Sequence, residues 1–215
     1  MRQPLIEGLL PSYAAGAEAR ADVTDDVLCP EERAAVAGVS EGRRREFTTV
    51  RQCARRALTA LGHAPAPLVP DGRGVSRWPD GVVGSMTHCR GYRAAVVARQ
   101  HDVRALGVDA EPWRPLREGV LGTVSLPGER ERLAALEASH SRLANWDRLL
   151  FCAKEAVYKA WFPDTGTGLT FRDVTVVFDP ADHTFRATVL VADRRDFTGR
   201  WLARDGLLVA VAFGG

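Results

Sequence analysis

The chain has 215 residues, 46% of them hydrophobic and 26% charged, which excludes a disordered or fibrous protein. That length buries a core without disulfides or a structural metal, and suits one body of two closely packed halves, 1–105 and 106–215. A net charge of +2 argues against a molecule that grips nucleic acid over its whole surface.

Residues 1–30 read as short elements and loops. Ser40 is a fair N-cap for a helix running to Leu61, with Gly62 as its stop. Phe47, Val50, Ala54, Leu58 and Leu61 share its apolar face, and Arg44, Arg51 and Arg55 form a stripe beside it. Residues 62–81 are rich in Pro and Gly and read as loop, with Arg73 as a cation in the turn at 70–73. Two strand-like runs, 92–99 and 103–111, are expected to form a hairpin through Gln100-His101-Asp102. After a broken stretch at 112–127, helices are expected over 128–138 and 146–161. The remainder reads as strands at 170–178, 185–191 and 201–213, the last folded at the type I′ signal Asp205-Gly206. The pattern is α+β, antiparallel hairpins with a few helices packed on them.

Lysine occurs only at Lys154 and Lys159, in a chain whose other cations are arginines, so a specific use of that compact charge is expected. The four cysteines make neither a C-x-x-C pair nor a zinc spacing, as for reduced thiols of a cytoplasmic protein. The first residues lead into no apolar leader, and no run is long and apolar enough to span a membrane.

Asp109 and Glu111 lie two apart at the end of a strand and so share a side. Neighbouring carboxylates repel unless a cation or proton separates them, and magnesium takes such hard oxygen ligands. Glu155 and Lys159 stand one turn apart on the polar edge of the 146–161 helix, where a surface salt bridge is the simpler alternative. Thr87 and His88 carry groups able to donate to phosphate oxygens, and arginines of the 40–61 helix can clamp phosphate. Acids, two lysines, a histidine and arginines are together the equipment of phosphoryl transfer.

Three segments carry a resemblance. Gly107-Val108-Asp109-Ala110-Glu111 is similar to a (V/I)-G-(I/V)-D-x-E motif, 151–159 to (F/W)-(S/C)-x-K-E-(A/S)-x-x-K, and 85–92 to S-x-(T/S)-H. With Trp78-Pro79-Asp80-Gly81 and the arginine helix, residues 40–172 resemble the Sfp-type 4′-phosphopantetheinyl transferases, in their actinobacterial and enterobactin-type form.

The resemblance implies a pseudo-twofold monomer of two α+β halves with coenzyme A bound between them, acting on acyl and peptidyl carrier proteins of fatty acid, polyketide and nonribosomal peptide synthesis. It implies Mg2+, or Mn2+ in its place, on Asp109, Glu111 and Glu155. Thr87 and His88 then contact phosphates, Lys159 faces the pyrophosphate, and Arg43 and Arg51 hold the 3′-phosphoadenosine, with Arg73 beside the nucleotide. Helix geometry alone favours Arg44 over Arg43. In the implied reaction Glu155 is the base, and Lys159 and His88 stabilise charge. Two rivals stand beside it: a magnesium-dependent nucleotide hydrolase, and an arginine-rich nucleic-acid-binding module.

Overall fold

The computed structural model describes residues 4–24, 27–191 and 194–215. The expectation about a leader falls in part on residues 1–3, which lie outside them. In chain order the elements are β1 (Ala14–Ala19), α1 (Pro30–Ala35), α2 (Glu41–Ala60), β2 (Val82–Cys89), β3 (Tyr92–Arg99), β4 (Ala105–Pro112), α3 (Val120–Val124), α4 (Pro127–His140), α5 (Trp146–Thr165), β5 (Val174–Asp179), β6 (Thr184–Val189), β7 (Arg195–Arg204) and β8 (Leu207–Gly214). The chain divides into two compact units, Met1–Val103 and Arg104–Gly215. Each is an antiparallel sheet with helices, so the fold class is α+β.

The first unit has a three-stranded sheet in the order β1-β3-β2. Helix α2 starts where Ser40 Oγ accepts the Arg43 amide, and ends before Gly62, whose φ of 85° no β-carbon favours. Its Cys53, Ala54, Ala57 and Leu58 pack with Ala17, Val82, Ala95 and Val97. Strand β1 was not foreseen: Ala-Ala-Gly-Ala-Glu-Ala has no β-branched or aromatic residue to announce it.

The second unit has a five-stranded sheet in the order β4-β8-β7-β6-β5. Helix α5 lies on it and buries Leu149, Ala153, Ala156, Val157 and Ala160 with Phe185, Ala187, Trp201, Leu208 and Ala210. Asp205 and Gly206, both at positive φ, make the tight turn from β7 to β8.

The expected hairpin of 92–99 with 103–111 does not form. β3 pairs with β1 and β2, through a two-residue turn at Arg90-Gly91, while β4 pairs with β8. The Gln100-His101-Asp102 signal is a turn, but the strands flanking it belong to different sheets. Pro163 lies inside the last turn of α5, which runs on to Thr165 and stops at Gly166 in the left-handed region. No described helix is long and apolar enough to cross a membrane.

Candidate functional site

In the second unit, β4 carries Ala105, Gly107, Asp109 and Glu111 on one face by strand alternation. That face meets α5: a β-carbon placed on Gly107 would lie 1.9 Å from the Ala156 carbonyl oxygen. The close approach brings Asp109 and Glu111 to the helix that bears Cys152, Glu155 and Lys159. Lys159 Nζ donates to Asp109 Oδ1 at 2.7 Å. Arg148, from the first turn of α5, donates from Nη1 to Glu111 Oε2 at 2.9 Å.

The three acids act on one another. Burial, then the Asp109 charge, pushes the Glu155 carboxyl above its usual range, with Glu111 adding and Lys159 opposing. Burial and Asp109 likewise push Glu111 up, against Arg148. Burial alone would lower Lys159, but Asp109 and Glu155 outweigh it and hold the ammonium above its usual value. The Cys152 thiol is pushed up by burial and by Asp109 and Glu111.

Among the described residues no three His, Cys, Asp or Glu side chains are gathered tightly enough to hold a metal ion. Asp109 and Glu111 instead bond to Lys159 and Arg148. The donor set still fits a hard divalent cation. It is all carboxylate oxygen, from a rigid strand and the helix packed on it, and its mutual repulsion is what such an ion relieves.

The other lysine is used differently. Lys154 is 2% exposed, and its Nζ donates to Glu129 Oε2 and the Phe171 carbonyl, both at 2.7 Å. Burial lowers its pKa against the pull of Glu129. Glu129 also accepts the Leu126 amide that starts α4 and the Val176 amide of β5. The first unit repeats the device: buried Glu32 accepts the Cys29 amide that starts α1, the Leu68 amide, and Arg55 of α2 through both oxygens. Cys29-Pro30-Glu31-Glu32 and Leu126-Pro127-Gly128-Glu129 share the X-Pro-x-Glu spacing, a signal that sequence reading passed over.

In the first unit, Arg43 at the start of α2 and His88 near the end of β2 come together, Arg43 Nη1 lying 2.7 Å from His88 Nε2. Thr87, its neighbour, is buried and faces the other side of the sheet. Arg51 does not join an open stripe. Its guanidinium lies 3.1 Å over the Phe47 ring centroid, Nε donates to the Leu68 carbonyl, and burial lowers its pKa to about 10. Arg55 is committed to Glu32. Arg73 bonds to Asp71 inside its own turn.

Mutually repelling carboxylates beside a helical lysine, on an α+β chain, are the equipment of enzymes that handle phosphate groups. Residues 31–98 match the family of 4′-phosphopantetheinyl transferase N-terminal domains, and residues 105–212 match the 4′-phosphopantetheinyl transferase superfamily. The chain is 52% identical to the 4′-phosphopantetheinyl transferase Svp of Streptomyces mobaraensis, over 95% of this chain and 87% of that one. It is 44% identical to PptT of Mycobacterium tuberculosis, over 93% and 83%, and 43% identical to Npt of Nocardia iowensis, over 97% and 100%, both 4′-phosphopantetheinyl transferases. The chain belongs to the 4′-phosphopantetheinyl transferase superfamily and is an enzyme of that kind.

Proposed function

We propose that this transferase moves phosphopantetheine from coenzyme A to the serine of acyl and peptidyl carrier proteins with the following division of labour. Asp109, Glu111 and Glu155 would hold Mg2+, or Mn2+ in its place, which neutralises charge on the pyrophosphate. Glu155 takes the proton of the serine hydroxyl. A carboxylate held at a metal suits that role, because the cation would keep it ionised and in place. The serine oxygen bonds to the β-phosphorus as the bond to the other phosphate breaks, and adenosine 3′,5′-bisphosphate leaves. Lys159, held at Asp109, stands ready to meet phosphate charge. In the first unit we assign Arg43, His88 and Arg73 to coenzyme A; Thr87 and Arg51, buried against other partners, would have to be uncovered to reach it. Arg43 is favoured over Arg44 by its contact with His88. We assign the enzyme to the cytoplasm as a monomer, with neither nucleic acid nor membrane as partner; none of its four cysteines forms a disulfide, as a reducing compartment requires.

The observation that carries this reading is the electrostatic grouping of Asp109 and Glu111 on β4 with Glu155 on α5, beside Lys159. Mass spectrometry of an apo carrier protein after incubation with coenzyme A and MgCl2 tests it. A gain of one phosphopantetheine that disappears with EDTA and with Glu155→Gln is expected. Transfer that persists under both would remove the metal and the base from the account.

A further inference from the structure

One acid in the first unit belongs to none of the roles above. Glu46 lies one turn into α2 and is mostly covered. Its Oε2 is 3.4 Å from Arg43 Nη1 and 3.9 Å from His88 Nδ1, and its Oε1 accepts Arg93 Nη2 at 3.2 Å. Arg93 is itself fixed. It is 6% exposed, stands opposite His88 in the β2–β3 register, donates from Nη2 to Asp22 Oδ2 at 3.0 Å with Nε in ion-pair contact with Oδ1, and donates to the Cys89 carbonyl at 2.7 Å. Glu46 is thus the link between a buried, immobile arginine and the exposed pair Arg43 and His88.

We propose that Glu46 is a positioning residue for coenzyme A, holding the Arg43 guanidinium in place at His88 so that it receives one phosphate monoester. The inference rests on the assignment of Arg43, at His88, to the 3′-phosphoadenosine end of coenzyme A, and it adds the residue that holds it there.

The physical case has three parts. Arg43 is a long, half-exposed side chain, and ordering it at the moment of binding would oppose affinity. Glu46 orders it in advance, from an anchor that does not move. The second part is the imidazole. Arg43 always donates, so His88 Nε2 accepts from it, and the ring backs the guanidinium from one side as Glu46 does from another. The carboxylate and the imidazole together set the arginine. The third is charge. Arg43 and Arg93 are balanced by Glu46 and Asp22, so the cluster stands assembled without a ligand, and an arriving dianion meets a preset arginine.

The test is a comparison of coenzyme A with 3′-dephospho-coenzyme A in wild type, Glu46→Gln, Arg43→Gln and the double variant, with calorimetric Kd values for adenosine 3′,5′-bisphosphate. Glu46→Gln is expected to raise KM for coenzyme A and the bisphosphate Kd by about three- to tenfold. The change should fall on KM rather than kcat, and should be absent with the dephospho substrate. Arg43→Gln should do the same, and the double variant should be no worse than Arg43→Gln alone, as coupled residues require. If Arg43→Gln weakens coenzyme A but Glu46→Gln does not, the positioning role is overturned while the assignment of Arg43 stands. If Arg43→Gln is silent, the assignment itself fails. Equal losses with both substrates would place another phosphate there and overturn the 3′ assignment. Should Glu46→Gln unfold below the assay temperature, Glu46→Asp, which keeps the charge and withdraws it by one methylene, is read against the same outcomes.

Discussion

Gly107 and Ala156 meet so closely that a side chain on the glycine would occupy the space of the alanine's carbonyl oxygen, 1.9 Å from the added carbon. The next obstacle is the Ala160 backbone nitrogen at 2.7 Å, so both neighbours are backbone and neither can swing aside. The glycine sets how near α5 comes to β4, and so how near Glu155 and Lys159 come to Asp109.

Gly107→Ala should therefore separate strand from helix. Overpacking of this kind costs about 2–3 kcal/mol, seen as a melting temperature lower by roughly 5–10 °C in a chain of this size. Transfer should fall by more than stability explains, because an outward step of α5 parts Lys159 from Asp109. A variant with wild-type kcat at a temperature where it is folded would show that the spacing is not needed.

The acids at 109, 111 and 155 should set stability against activity. Glu155 and Glu111 are raised above the ordinary carboxylate range. The folded protein then binds more protons than the unfolded chain between the ordinary pKa and the raised one, so stability falls as pH rises through that interval. The full penalty is present above the raised values and absent below the ordinary range. Glu155→Gln, expected to lose transfer, should melt higher than wild type at pH 7.5 without metal, and the difference should vanish near pH 4. MgCl2 should raise the melting temperature of the wild type more than that of the variant. Equal melting curves at every pH would mean that the carboxylates do not strain the fold.

The paired glutamates Glu32 and Glu129 should matter for folding rather than for chemistry. Each is almost fully buried and satisfies a helix start, a distant backbone amide and a cation. Glu129→Gln leaves the Lys154 ammonium buried without its counter-charge, and breaking such a pair costs about 3–5 kcal/mol. Lys154→Met removes the cation but leaves Glu129 its two amide donors, so its loss in urea unfolding should be smaller. Its kcat should stay near wild type, since Lys154 faces Glu129 and not the acids of β4. A kcat loss as large as that of Lys159→Met would move Lys154 into the catalytic machinery.

What the sequence made legible followed from local rules. α2 and α5 carry their apolar periodicity and their stops in the chain itself, and the i, i+2 spacing of Asp109 and Glu111 sufficed to place them on one face. The hairpin across 100–102 was misread because a turn signal says that the chain reverses and not which strands then pair; β4 found β8, about a hundred residues on. Arg51 and Arg55 looked like an exposed row because a helix wheel cannot see what lies outside the helix. Phe47, the Leu68 carbonyl and Glu32 cover them. The scarcity of lysine did mark two special positions, but it could not divide them. Lys154 proved a buried partner of Glu129, and Lys159 a partner of Asp109.

Arg148 offers the last test. Its guanidinium bonds to Glu111 and to the carbonyls of Arg114 and Pro115, while Asp147 beside it accepts the Leu116 amide. One side chain thus ties the segment after β4 to an acid of the proposed metal set. Arg148→Ala should speed amide hydrogen exchange over 113–118 while α5 stays protected, because the segment loses two of its ties and the helix loses no core contact. It also removes a charge that holds Glu111 down, so the Glu111 carboxyl should rise further and stay protonated to higher pH. The magnesium concentration for half-maximal transfer should then rise more at pH 6 than at pH 8, because protons compete with the ion for Glu111 more strongly in acid. An equal rise at both pH values would assign the effect to the loosened segment and leave Glu111 out of the metal's affinity.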